Sequence, residues 1–349
     1  MLLRFFNATA AEADIGVILD LDTTLGKMCK TCISMAIEDF YSSRDYSTMI
    51  VPRFRDSSSD VVAAASAAIS LLKNTEVMAI LGPQTSLQAD FVIDIGDKVK
   101  VPIISPAMSP SLSPQKSPYF IRSLWCSSSQ AKAVAAIVKN FGWREVVIYE
   151  DTEYGSGLVP FLTEELLKSN VFLSYQSVVS SSAEDDHILQ QLYDLEKRQT
   201  RVSVIHMPPA LASRFFQMVK EVGMMRRGYV WIIADPLTSL LDSEAIEAMQ
   251  GVLGVKAYVP KMDEAKNFEK RWSKRFHKEN PNMDRTQLNV FGLWAYDSVT
   301  ALAEVVERVG AASPKFKKTT ERGNLRDLEA IRISRTGPSL APFTRNFES

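Results

Sequence analysis

The side chains of this sequence that have the means to do chemistry fall into a few groups. Cys29-Lys30-Thr31-Cys32 has the CxxC spacing of a redox or zinc pair. Asp185-Asp186-His187 places two carboxylates beside an imidazole, and Gly155-Ser156-Gly157 opens a helix as some dinucleotide loops do. Hydroxyls gather in Val77–Ser113, at Thr85, Ser86, Ser105 and Ser109, each just after a short apolar run. Most of these have simpler explanations. A zinc site needs a second Cys/His pair, and the only histidines are His187, His206 and His277. No thioredoxin-like Trp-Cys context precedes the CxxC, so two small residues on a helix, one facing the core, account for it. Asp185 and Asp186 suit a helix start, where acids oppose the positive dipole end. No GxGxxG follows a strand, and GxxxxGK[ST] and GxSxG are absent. No metal or cofactor is expected, and the pattern is not that of an enzyme.

The hydroxyls are positioned by a strand–helix–strand unit. Val77–Leu81 reads as a buried strand, Gly82-Pro83 ends it, and Thr85 or Ser86 caps a helix bearing Leu87, Ala89, Val92, Ile93 and Ile95. A second buried strand runs from Val101 to Ser105. In an open parallel sheet, ligands collect beyond the carboxyl ends of strands, and a helix N-terminus there suits an anion. Taken alone, however, Ser86 and the later serines need only cap and turn.

The same alternation extends along the chain. Strands are expected at 15–19 and 48–54, with helices at 27–42 and 61–72. Residues 106–129 are rich in Ser and Pro, with Tyr119–Ile121 extended, and read as the exit from a first domain. A second series follows, with strands at 145–149, 171–179, 202–206, 229–234 and 252–258 and helices at 130–141, 156–169, 184–199 and 209–223. Two long helices end the ordered part. Asp263–Lys278 carries Phe268, Trp272 and Phe276 as a packing stripe opposite a solvated basic face, and Leu288–Val309 is apolar nearly all round.

Length and composition agree with two such layers. A chain of 349 residues exceeds one ordinary core of ~100–200 residues. Hydrophobic residues make up 46% and charged residues 23%, as in soluble globular proteins. The net charge of −1 gives no attraction to polyanions, so nucleic acid is excluded as a partner. No run reaches the ~20 apolar residues of a membrane span. The start, MLLRFFNATAAEADIG, is ambiguous: its apolar patch, interrupted by Arg4, is shorter than the ~7–15 apolar residues of a signal peptide core, and Asn7-Ala8-Thr9 would be a glycosylation sequon only if the chain is secreted.

The segments ILGPQTSLQADFVIDIGDKVKVPIISP, SPSLSPQKSPYFIRSL, KNFGWREVVIYEDTEYGSG, GYVWIIADP, MQGVLGVKAYVP and LNVFGLWAYDSVTALAEVVE resemble, in collinear order over about 14–310, the amino-terminal domain of plant glutamate receptor-like channels. The resemblance implies a class I periplasmic-binding-protein-like fold: two doubly wound parallel-sheet α/β lobes joined by a hinge. Lobe 1 would span 14–125 and be completed by 257–310, lobe 2 would span 126–256, and 311–349 would be a poorly ordered tail with at most one helix near 325–331. The family continues beyond a region like 337–349, so the chain is expected to be truncated, leaving a sheet edge open.

The resemblance also implies a site. Ser86 matches the serine that takes a ligand carboxylate. The next exit loop reads SPAMSPSLS where the family pattern is SATSPSLS, so Met108, only a weak acceptor, replaces a hydroxyl, and Ser105 or Ser109 would have to substitute. Tyr154 matches an aromatic that covers the ligand amine, a cation–π contact worth ~0.5–2 kcal/mol. Asp235 matches the carboxylate that pairs with that amine, although an N-cap before Pro236 explains it almost as well. Asp20 and Asp22 line the same region. The implied function is an extracellular ligand-sensing and assembly domain of a ligand-gated cation channel, closing on an amino acid or similar small molecule. Its partners would be other receptor subunits, with membrane contact only through pore segments not contained here. The alternatives are a subunit-assembly module that binds no ligand, or a non-functional truncated product.

Overall fold

A computed structural model describes residues 10–309 except 44, 125, 152–156, 242, 260, 261, 284 and 285. The chain divides into two compact units. One comprises 1–108, 112–125 and 259–349; the other comprises 109–111 and 126–258.

The first unit begins with β1 (Ala11–Leu19), whose run from Ile15 to Leu19 is almost wholly buried. Thr23 caps α1 (Thr24–Ser42) by accepting from the Gly26 N–H. Then come β2 (Thr48–Asp56) and α2 (Val61–Ser70), the latter capped by Asp60. A π-helical turn at Leu71–Thr75 leads to β3 (Ile80–Leu81), shorter than the apolar run at 77–81 suggests. The run fills the core, since Val77, Ala79 and Ile80 are all buried, and it also bonds to β1 ahead of the two registered residues: the Met78 N–H donates to the Asp14 carbonyl and the Ala79 carbonyl accepts from the Gly16 N–H, both at 2.9 Å. α3 (Ser86–Val99), β4 (Ile103–Ser105) and β5 (Phe120–Arg122) complete this stretch. Tyr119–Ile121, expected on the way out of the domain, is therefore largely an edge strand of its sheet. All pairings are parallel, in the order β2-β1-β3-β4-β5.

The second unit runs α4 (Ser128–Asn140), β6 (Glu145–Asp151), α5 (Val159–Lys168), β7 (Phe172–Val179), α6 (Asp185–Glu196) and β8 (Val202–His206). It continues with α7 (Pro209–Glu221), β9 (Val230–Ala234), α8 (Leu237–Leu240), α9 (Ser243–Ala248) and β10 (Leu253–Val255). Its sheet is again parallel, β7-β6-β8-β9-β10 when read from the other edge. Each sheet therefore repeats one topology: the first strand lies between the second and third. Apolar residues alternate onto both faces, Val147, Tyr149 and Ile205 under α6 and α7 and Val146, Ile148 and Val204 under α4 and α5. Helices on both faces explain why these strands read as continuous apolar runs.

The chain then returns to the first unit with α10 (Asp263–Glu279) and α11 (Val290–Val309). Phe268, Trp272 and Phe276 are buried, as a packing stripe should be. The basic face is exposed at Lys266, Lys270, Arg271, Lys274 and Lys278, and two of its arginines are also paired with α1. Arg271 makes a two-pronged bond to Asp39 at 2.7 and 2.8 Å, and Arg275 reaches Glu38 at 2.6 Å. Burial alone would raise the Asp39 carboxyl, but Arg271 and the Tyr296 hydroxyl hold it below its ordinary value. Glu307 of α11 accepts the backbone N–H and hydroxyl of both Ser47 and Thr48, at 2.6–3.0 Å, and so pins the start of β2. The tail and its expected helix at 325–331 lie outside the described residues.

Candidate functional site

In a doubly wound sheet the connections leave the first strand on opposite sides, opening a crevice at the carboxyl ends of the first and third strands. The first unit places Asp20 after β1 and Gly82–Ser86 after β3. The second places Glu150 and Asp151 at the end of β6, and His206 at the end of β8.

The first crevice is a closed polar knot. Asp20 is buried, and its Oδ1 accepts the Ser57 hydroxyl at 2.5 Å, the Ser59 N–H at 2.7 Å and the Gln88 amide at 3.2 Å. Gln84 accepts from the Asp20 N–H at 3.4 Å and donates to the Cys29 sulfur at 3.2 Å. The loop can approach this closely because of Gly82, whose φ is +94° and whose α-carbon would carry any Cβ within 2.1 Å of the Ile18 carbonyl oxygen. Gln88 Oε1 is buried and without a hydrogen-bond partner among the described residues. Both Cys29 and Cys32 are buried, not one as the spacing suggests, and burial pushes the Cys29 thiol up to about 12. A thiol held protonated in this way is a poor nucleophile.

Ser86 is the first residue of α3, half-buried, directly after the cap in which Thr85 accepts from the Gln88 N–H. Ser105 is fully buried; its hydroxyl donates to the Pro83 carbonyl at 2.6 Å and accepts from the Ala107 N–H at 3.1 Å. It therefore ties the β3 and β4 exit loops together. Met108 is half-buried. Ser109 belongs to the other unit. There it faces Gly157, where a Cβ would come within 2.1 Å of the serine hydroxyl. Asp22 is exposed, and Tyr154 lies outside the described residues.

In the second unit, Asp235 is fully buried at the end of β9, one strand beyond the crevice. Its Oδ1 accepts the hydroxyls of Thr238 and Ser239, and its Oδ2 accepts the Ala257 N–H at 3.0 Å. These bonds stitch α8 and the chain after β10 to the sheet. Asp185 and Asp186 fall in the first turn of α6, whose N-cap is Glu184, and Asp185 pairs with Arg214 at 2.6 Å.

Sequence reasoning passed over Glu150. It is 5% exposed; one oxygen accepts the Gln176 amide, and Oε2 is buried with no partner among the described residues. Burial raises its carboxyl, the Gln176 amide lowers it and neighbouring Asp151 raises it, for a net upward shift. Asp151 accepts the Ser181 hydroxyl at 2.7 Å. Glu150 is in register with His206. The signal was present in the sequence: two acids directly after the apolar run VVIY. Gln84, Gln88 and Ser57 were missed because nothing local links them to Asp20.

Two tandem units of this topology, each a five-stranded parallel sheet, define the fold class. Solved structures agree. A leucine-binding protein LivK from Thermotoga maritima matches 92% of this chain and 87% of its own at a TM-score of 0.71 and 19% identity. An ABC transporter substrate-binding protein from Desulfitobacterium hafniense, solved in complex with Leu, matches at 0.68 and 16%. The fold is that of class I periplasmic binding proteins. Residues 28–348 match the receptor family ligand binding region, and the chain belongs to that family. Among curated proteins, the Arabidopsis thaliana Glutamate receptor 2.7 and Glutamate receptor 2.3 are each 46% identical to it over 94% of its length. The chain spans about a third of the length of these relatives, 35% and 36%. Among the described residues no helix is long and apolar enough to cross a membrane.

Proposed function

We propose that this chain is the extracellular ligand-sensing domain of a ligand-gated cation channel of the ionotropic glutamate receptor type, closing its lobes on an amino acid or similar small molecule. The observation that supports it best is the repeated crevice. Both sheets place buried polar side chains beyond the carboxyl ends of their first and third strands, and the helix after β3 offers its N-terminus to an anion. Ser86 stands in that helix's first turn, suited to a ligand carboxylate, with Tyr154 and a second-unit carboxylate for the amine. Closure follows from the ligand's higher affinity for the closed state. Calorimetry of the purified chain with a panel of L-amino acids, alongside small-angle scattering, tests this. Binding with a fall in radius of gyration is expected; no heat at millimolar concentrations would sink it.

Assembly with other receptor subunits is a second reading, supported by the surface of the first unit. The adjacent helices α2 and α3 expose Val62, Ile69, Leu87 and Phe91, with Val62 75% and Phe91 56% exposed. Apolar side chains clustered on neighbouring helices favour a protein partner. Sedimentation of the chain decides it, since monomers at high concentration would count against assembly. The two readings are compatible.

A further inference from the structure

We propose that Glu150, rather than Asp235, is the second-unit carboxylate that receives a primary ammonium group. This rests on the amino-acid reading above only for the ligand that would carry the ammonium.

A carboxylate that receives a ligand must have an oxygen to give. Asp235 Oδ1 already accepts from two hydroxyls and Oδ2 from a backbone N–H, all from its own surroundings in the second unit. Turning it toward a ligand would break these three bonds to half-buried donors. Glu150 has the opposite state. Gln176 holds one oxygen and so fixes the carboxyl group, while Oε2 has no partner among the described residues although the side chain is 95% enclosed. Buried acceptors in native proteins are rarely left this way; of those here, Glu150 Oε2 is the carboxylate oxygen that stands at a crevice, where an occupant accounts for it.

The neighbourhood defines what that occupant is. Asp151 adjoins Glu150 and is itself buried, so the electrostatic demand is for positive charge. His206, in register on β8, makes no hydrogen bond to Oε2. The position is the crevice of a doubly wound sheet, where ligands enter, whereas Asp235 lies one strand away. A primary ammonium supplies three N–H donors for Oε2 and a positive charge that favours an ionised carboxylate in one group. Gln88 Oε1, the equivalent unpartnered atom of the first unit, is a neutral amide oxygen beside a carboxylate already holding three donors, and makes no such demand.

Pairing with a cation favours the ionised carboxylate, so binding should release protons where Glu150 is still protonated in the free chain, and affinity should rise with pH through its titration. The groups that would modulate this are Asp151 on the same strand and His206 on β8.

The experiment is calorimetry on the full chain with glycine, L-glutamate, L-methionine and L-leucine, each beside its 2-hydroxy acid, and with n-butylammonium chloride as a bare ammonium probe. Glu150→Gln and Asp235→Asn are compared with the unmodified protein, with thermal melts to establish that each folds. Glu150→Gln should weaken amino-acid binding by ~10–100-fold, as expected for a lost charged hydrogen bond, and leave the 2-hydroxy acid unchanged. Unaltered amino-acid binding by Glu150→Gln, as an occupant that is only water would give, overturns the assignment and leaves the ligand-sensing reading intact. Loss of ammonium discrimination in folded Asp235→Asn alone overturns it in favour of Asp235. If no amino acid binds the unmodified chain but n-butylammonium does, and Glu150→Gln abolishes that, the assignment stands and the amino-acid reading fails. Silence from every probe at 10 mM, on the order of the weakest useful affinity, overturns both.

Discussion

The two crevices share a topology and differ in how their carboxylates are satisfied. In the first unit, Asp20 holds three donors from two other chain segments, which joins β1 to the loop after β2 and to α3. In the second, Glu150 is equally enclosed but holds only one partner for its two oxygens. A buried carboxylate whose oxygen gathers three donors ties the segments that supply them together, and one with a buried open oxygen leaves a demand that a ligand can meet. The same architecture can therefore serve as scaffold at one crevice and as receptor at the other.

The largest effect should come from the backbone that lets the first knot close. Gly82→Ala would force a Cβ against the Ile18 carbonyl oxygen at a φ that L-residues avoid. A loss of about 3 kcal/mol in chemical denaturation is expected. Gly142→Ala is the control, with φ +72° but nothing within 4 Å, and should cost about 1 kcal/mol. Equal losses would mean that conformation, and not close approach, sets the first crevice.

Asp20→Ala and Glu150→Gln should then move stability in opposite directions. The first strands the donors of Ser57, Ser59 and Gln88 and should cost about 2–3 kcal/mol. The second removes a charge that the fold disfavours. Because its folded carboxyl is raised, the native state holds its proton more tightly than the unfolded chain. That stabilisation is present at acid pH and is lost as pH rises through the ordinary Glu range toward the raised value. Glu150→Gln should thus melt higher at pH 7, by about 1 kcal/mol, and converge with the unmodified protein on acidification. If Glu150→Gln melts lower at pH 7, the contrast between the crevices is broken.

A smaller pH effect separates the units as wholes. Asp39 and Glu307 of the first unit are held below their ordinary range, Asp39 by Arg271 and Tyr296, Glu307 by Ser47 and Thr48, despite the opposing effect of burial. Depressed carboxylates stabilise above their unfolded pKa, and that contribution fades as pH falls through the folded value. Hydrogen exchange at pH 3 compared with pH 6, corrected for intrinsic rates, should show the first unit losing about 1 kcal/mol of protection relative to the second. The depressed carboxylates of the second unit, Glu164 and Asp194, are exposed partners of lysines and contribute little.

Much of this was legible from local pattern. The buried runs at 15–19, 146–149 and 202–206 lie where continuous apolar stretches put them, and the caps at Thr85 and Asp60 and the Phe268–Trp272–Phe276 stripe lie where capping chemistry and the 3.6-residue period put them. The parallel two-layer class followed from strands alternating with helices, and the quoted segments carried the family. Boundaries were less readable. β3 is registered over two residues although the five residues before Gly82 are apolar, and Met78 and Ala79 still bond to β1 outside it.

What the sequence determined by itself is therefore the elements, their parallel α/β class and the family to which the chain belongs. Tertiary structure alone decided how each polar group is employed. Asp20 and Glu150 are both acids after an apolar strand, and only the fold brings Ser57, Ser59 and Gln88 to one and a single amide to the other. Asp235 and Ser105 likewise spend their hydrogen bonds on loops they help to hold. The physical reason is that a side chain's type fixes which bonds it can make, whereas burial and the donors arriving from distant segments fix which remain to be made.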